Sequence, residues 1–176
     1  EWRSGRDSEQ NSATRRLGQE VRALQRGLTG ERLLAGSSYF SSGEFLEAYL
    51  SYYWPVSFVE TYLALAELKA RGVSVSGRKV LDLGAGPGPA TFACMEFLSH
   101  DSLQEAKVQA LQPDIDRRMA SATLIDATLV DANPTALDMA RRIAALSLSD
   151  RSASDLASGQ SPGVDLEYIT YDLQTW

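Results

Sequence analysis

The segment Val80-Leu-Asp-Leu-Gly-Ala-Gly-Pro-Gly88 constrains the fold more than any other stretch of this chain. Val80, Leu81 and Leu83 form a short apolar run stopped by three glycines in five residues. A helical pattern (Phe92, Ala93, Met95, Glu96, Phe97) resumes after it, so the segment reads as strand, glycine turn, helix. Two further apolar runs follow, Ala127-Thr-Leu-Val-Asp131 and Val164 to Thr170. Between them Pro134 to Leu148 places Leu137, Ala140, Ile143 and Ala144 on one side of a helix. Strands alternating with helices build βαβ units and a parallel sheet, which makes the chain an α/β protein. The polar segment 99–121 is expected to hold one surface helix around 103–111, and the Ser-, Asp- and Gly-rich segment 149–163 reads as a loop.

Upstream the period is helical throughout. Leu17, Val21, Leu24 and Leu28 recur on one stripe, predicting a first helix over about 13–28 that ends near Gly30. Pro fits the first turn of a helix and is costly inside one, so Pro55 predicts two helices, about 43–53 and 55–71, the second stopped by Gly72. Phe58, Tyr62, Leu65 and Ala66 form the expected buried face of the second. The aromatics Phe45, Tyr49, Tyr52, Tyr53 and Trp54 suit core packing better than base stacking, because aromatics at helical spacing mostly bury area. The expected organisation is an N-terminal helical region, 1–75, and the first half of a Rossmann-like sheet domain, 76–176, with spatial strand order 3-2-1. The first strand would then present an unpaired edge, so the chain, which begins at Glu1 rather than Met, is expected to be a fragment. The rest of the domain, or another chain, would complete the sheet.

Composition removes several function classes. The 176 residues carry 17 Lys and Arg against 23 Asp and Glu, with one His and one Cys. A single Cys94 cannot close an intramolecular disulfide or a four-thiolate metal site, which points to a reducing compartment, cytoplasm or mitochondrial matrix. No apolar run reaches membrane-spanning length. Only residues 1–32 are basic, with seven Arg against five acids. The acidic remainder argues against a broad phosphate-binding face, since such binding rests on Lys and Arg. Arg15, Arg16, Arg22 and Arg26 offer either a solvated helix face or an RNA contact.

The glycine turn lets backbone approach a ligand closely. A Gly-x-Gly-x-x-Gly dinucleotide fingerprint would need Gly where this chain has Pro89. Asp82 just before the turn is electrostatically wrong for a diphosphate and right for an ammonium group. Asp131 ends the second strand, where an acid can accept both hydroxyls of a ribose, and Asp172 follows the third, where it can accept from an exocyclic amine or be an ordinary loop acid. Three acids at the carboxyl ends of successive parallel strands converge on the crevice where open α/β sheets bind ligands. Asp131 is also a candidate helix cap, although Asn133 can take that role and leave Asp131 free. Cys94, on the inner side of the helix after the turn, reads as a structural thiol.

These residues resemble the class I S-adenosylmethionine-dependent methyltransferases, Val80 to Gly88 their first motif and Leu129-Val-Asp-Ala-Asn-Pro134, with Leu137, Ala140 and Arg141, their second. The resemblance covers about 79–176 and implies S-adenosylmethionine as cofactor. Gly84, Gly86 and Gly88 would line the methionine part and Asp82 would hold its amino group through water. Asp131 would bind the ribose hydroxyls and Asp172 the adenine amine, with Ala85 and Ala132 completing the cofactor-binding set. The aromatic stretch from Ala48 through Pro55 to Tyr62, ahead of the turn, is similar to methyltransferase-like proteins of small-ribosomal-subunit assembly, bacterial and mitochondrial. That similarity implies small-subunit ribosomal RNA or ribosomal proteins as partners. The family's iron–sulfur cysteine cluster has no counterpart here, and the 45 residues from Gly86 to Asp131 imply an insertion over 99–124. Residues handling the methyl acceptor come, in that family, from beyond the third strand, so no catalytic residue is assigned. Two other readings stand beside this one: a non-catalytic ribosome assembly protein that keeps the fold, and an NAD-type oxidoreductase, against which Pro89 and Asp82 speak.

Overall fold

A computed structural model describes residues 2–30, 39–75, 79–110, 125–155 and 164–171. The chain divides into two compact units, Glu1–Val56 and Ser57–Trp176.

In the first unit, α1 (Trp2–Gln25) passes into a wider π-helical turn, Arg26–Gly30. The helix therefore starts well before the expected 13: its first turns are polar but hold no Pro, and the single Gly5 does not end it. Leu24 is fully buried and Leu17, Val21 and Leu28 are half-buried, while Arg15, Arg16, Arg22 and Arg26 are exposed. The expected helix over 43–53 is shorter. It consists of α2 (Gly43–Ala48) followed by a π-helical turn, Tyr49–Tyr53, that leads into α3 (Trp54–Ala70). In the wide turn the Trp54 N–H bonds the Tyr49 carbonyl, so the missing N–H of Pro55 falls where the α-helical ladder is already interrupted. Phe40, Tyr49 and Tyr53 pack ring against ring, with centroids 4.9 and 5.9 Å apart.

In the second unit, α3 ends on Gly72 at φ +80°, with the Gly72 N–H on the Lys69 carbonyl and the Val73 N–H on that of Leu68. This is a Schellman cap. The inner stripe of α3, including Phe58, Tyr62, Leu65 and Ala66, is half-buried rather than buried. Tyr62 meets Phe97 edge-on at 5.5 Å.

The sheet holds β1 (Lys79–Leu83), β2 (Ile125–Asp131) and β3 (Val164–Thr170), all parallel, in the order β1-β2-β3. Asp82 is level with Leu129, and Asp131 with Thr170. Two long helices connect the strands, α4 (Pro89–Ala110) and α5 (Pro134–Asp155). The expected separate helix around 103–111 is instead the last part of α4. Likewise α5 runs through 149–155, where a loop was expected. Both helices pack on the face that carries Val80, Asp82, Ala127, Leu129 and Tyr168. Thr91 of α4 bonds Asp82, and Arg141 of α5 lies 4.7 Å over the Tyr168 ring. Between helices and sheet lies the core: Ile125, Ala127 and Leu129 with Phe92, Ala93, Met95, Phe97, Leu137, Ala140 and Ala144. The other face carries exposed Leu81 and Leu83, a Thr128–Glu167 hydrogen bond and a Lys79–Asp126 ion pair. No helix among the described residues is long and apolar enough to cross a membrane.

Candidate functional site

The site grows from the carboxyl end of β1. Gly84, Gly86 and Gly88 have φ of +75°, +54° and +79°, backbone conformations that L side chains rarely adopt. The turn folds back onto the end of β2, where the Val130 carbonyl accepts from both the Gly84 and Ala85 N–H groups, at 2.8 and 3.0 Å. The Gly88 N–H closes the turn on the Ala85 carbonyl at 2.9 Å, and the Gly88 carbonyl accepts from Phe92 to start α4. A Cβ on Gly84 would meet nothing within 4 Å, whereas one on Gly88 would sit 2.9 Å from Leu129 Cδ2. Gly84 thus faces open space at the exposed side of the turn and Gly88 faces the core.

Asp131 is engaged rather than free. Its Oδ2 accepts from the Gly86 N–H at 2.7 Å and its Oδ1 from the Asn133 N–H at 2.7 Å. Its carbonyl accepts from Tyr171 N–H at 3.0 Å, carrying the ladder past β3. Capping of α5 falls to Asn133, whose Oδ1 accepts from Thr135 and Ala136 at 3.0 and 3.3 Å. Pro134 takes the first helical position, where it loses no hydrogen bond. Asp82 Oδ2 accepts from the Thr91 hydroxyl at 2.7 Å, across from β1 to the first turn of α4. Thr91 is fully buried. It is the site residue that sequence reasoning missed, and its signal is a hydroxyl in the first turn of the helix that the acid-bearing strand feeds.

The sequence-predicted residues thus come together as far as they are described. Asp82 and Asp131 share one sheet face on adjacent strands, about 8 Å apart along and across the sheet by ideal spacing. Gly84, Ala85, Gly86 and Gly88 lie between them, and Ala132 is exposed beside Asp131. Asp172 lies outside the described residues, one position after Tyr171.

The electrostatics favour a ligand with donors and positive charge. Among the described residues neither Asp82 nor Asp131 has an ion-pair partner. A carboxylate offers about four acceptor positions, so one or two neutral donors leave each with capacity to spare. Asn133 Nδ2 is buried with no acceptor among the described residues, a donor left over beside the strand-end acid. Cys94 is half-buried. Burial first, and then the negative charge of Asp82, push its thiol above the usual range. A neutral, desolvated thiol is a poor nucleophile at neutral pH.

No protein-family model, curated protein or solved structure matches the chain.

Proposed function

We propose that the chain binds S-adenosylmethionine as a methyltransferase-like protein built on a Rossmann-like sheet. The observation that carries the reading is a pair of carboxylates with no cationic partner among the described residues, Asp82 and Asp131, flanking a turn of three left-handed glycines at the ends of adjacent parallel strands. Open α/β sheets bind ligands at that position. The fit is chemical. Gly84 leaves room for a ligand to approach backbone, Asp82 and Asp131 accept from an ammonium group and from ribose hydroxyls, and Asp172 is reserved for the adenine amine. The sulfonium of the bound cofactor would supply an activated methyl group, and the chain's own residues described here bind and orient it. No methyl acceptor or catalytic residue is assigned.

Calorimetry with S-adenosylhomocysteine tests the reading. Wild type is expected to bind, and Asp131→Ala to bind at least about tenfold more weakly, since a hydrogen bond to a charged group is worth about 1.5–3 kcal/mol. Equal binding by both would remove the ribose assignment, and binding of NAD instead of S-adenosylhomocysteine would move the chain to the oxidoreductases.

A second reading is a non-catalytic assembly protein of the small ribosomal subunit. Leu81 and Leu83 are 65 and 59% exposed on a parallel strand, where such strands ordinarily have both faces covered. That exposure suits a sheet completed by more of the domain or by another chain, and exposed Arg15, Arg22 and Arg26 suit a contact with ribosomal RNA. Association with a small-subunit RNA fragment but not with S-adenosylhomocysteine would favour this reading.

A further inference from the structure

We infer that Asp131 is the latch that shapes the glycine turn before any ligand arrives, so that the acid expected to grip a ribose also sets the affinity for the ligand's amino-acid half. The second clause rests on the S-adenosylmethionine reading, and the first does not.

Four N–H groups are drawn onto the exit of β2. Gly84 and Ala85 donate to the Val130 carbonyl, Tyr171 to the Asp131 carbonyl and Gly86 to the Asp131 side chain. Three of these are backbone pairs that any residue would make. The fourth depends on a carboxylate 45 positions along the chain. Gly86 is buried and sits at φ +54°, so its N–H, turned away from a strand or helix ladder, must find its acceptor elsewhere. The carboxylate is aimed by its own chain: Oδ1 holds the Asn133 N–H two residues on, an Asx turn, which leaves Oδ2 directed at Gly86.

Such a group is a positioning residue for the turn as well as a ligand contact. A carboxamide at this position cannot replace it. It presents one acceptor oxygen where two N–H groups wait, and its NH2 would face the other donor. Substitution therefore costs a turn contact even in the ligand-free protein. A residue that met only ribose would leave the empty turn untouched.

The test compares the full chain with Asp131→Ala, which removes both acceptor oxygens, by amide hydrogen exchange without ligand, then by calorimetry with S-adenosylhomocysteine and with methylthioadenosine. Both ligands carry the ribose, and only the first carries the amino acid. Exchange at Gly86 is expected to accelerate about tenfold or more in the variant while Ala127 and Leu129 in the middle of β2 keep their rates. The variant is expected to lose several-fold more affinity for S-adenosylhomocysteine than for methylthioadenosine. Unchanged exchange at Gly86, or acceleration spread evenly through β2, would overturn the latch. Equal losses for the two ligands would overturn the coupling to the amino-acid half. Wild type that binds neither ligand would sink the cofactor reading and the coupling with it, and Gly86 exchange would still decide the latch.

Discussion

Replacing Gly88 by Ala separates the two jobs of the glycine turn, because its neighbour Gly84 has almost the same backbone angle in a different setting. At Gly88, φ +79° costs an L residue roughly 1–2 kcal/mol. The new Cβ would also lie 2.9 Å from Leu129 Cδ2 and 3.0 Å from Phe92 Cε2. Leu129 is fully buried and Phe92 nearly so, so one of them must shift within a packed core, at about 1–3 kcal/mol. The loss is then about 2–5 kcal/mol, against a total stability of about 5–15 kcal/mol for a typical domain. At Gly84 the angle is +75° and a Cβ meets nothing within 4 Å, so only the backbone cost of roughly 1–2 kcal/mol applies. Urea unfolding followed by far-UV circular dichroism, read as midpoint shifts at equal slope, measures both. Equal losses in the two variants, or a larger one at Gly84, would refute the assignment of Gly88 to the core and Gly84 to the exposed side of the turn. In the proposed function Gly84→Ala, though the milder for stability, also weakens S-adenosylhomocysteine, because its methyl takes the space left for the ligand.

Thr91→Val removes the hydroxyl that Asp82 accepts and keeps the volume. A destabilisation of about 1.5–2 kcal/mol is expected in the same urea assay, the lower part of the range for a hydrogen bond to a charged group because half-buried Asp82 partly regains water; a loss below about 0.5 kcal/mol would show the bond to be idle. Cys94 in the folded chain should react slowly with a disulfide reagent at neutral pH and faster in Asp82→Asn, which removes the second cause of its raised pKa and leaves burial. By linkage, a thiol whose folded pKa lies above its unfolded value adds stability that is complete below the unfolded pKa and fades as pH rises through the folded one. Urea midpoints should therefore decline on the alkaline side more in wild type than in Cys94→Ala. On the second proposed reading, changing Arg15, Arg22 and Arg26 together to Gln lowers the salt slope of association with a ribosomal RNA fragment by about 2, near 0.7 per phosphate on a single strand. Arg16→Gln should leave it nearly unchanged, since that guanidinium already lies 2.8 Å from Glu20 and 3.8 Å from Glu44; fluorescence anisotropy across a salt series reads both.

The strands and the turn were legible because their signals are local. Val164–Thr170 has the bounds its apolar pattern predicts, and the three glycines in five residues read as a turn all lie at positive φ. Helix ends were less legible, for a physical reason. Ser99-His-Asp-Ser102 and Ser149 to Asp155 look like loops by polarity, but neither contains Gly or Pro, and polarity without a breaker does not stop a helix. The site divides the same way. Asp82 and Asp131 stand out at strand ends, whereas Thr91 matters only because α4 folds back over β1, which its hydroxyl in the first helical turn signals only once strand, turn and helix are read as one unit.

The sheet also separates where a ligand can be held from where the fold is covered. Asp82, Asp131 and the three glycines belong to strand ends and are positioned by bonds within β1, β2, the turn and the first turns of α4 and α5. The face bearing Leu81 and Leu83 contributes none of those bonds. Val130 joins the two regions, since it is buried and its carbonyl anchors Gly84 and Ala85, but it does so through backbone, which a partner covering the exposed leucines would not displace. The bonds that hold the proposed ligand site are thus separate from the side chains of the exposed face. In the proposed function, the strand-end site can be kept while the chain's role is decided by what covers the other side of the sheet.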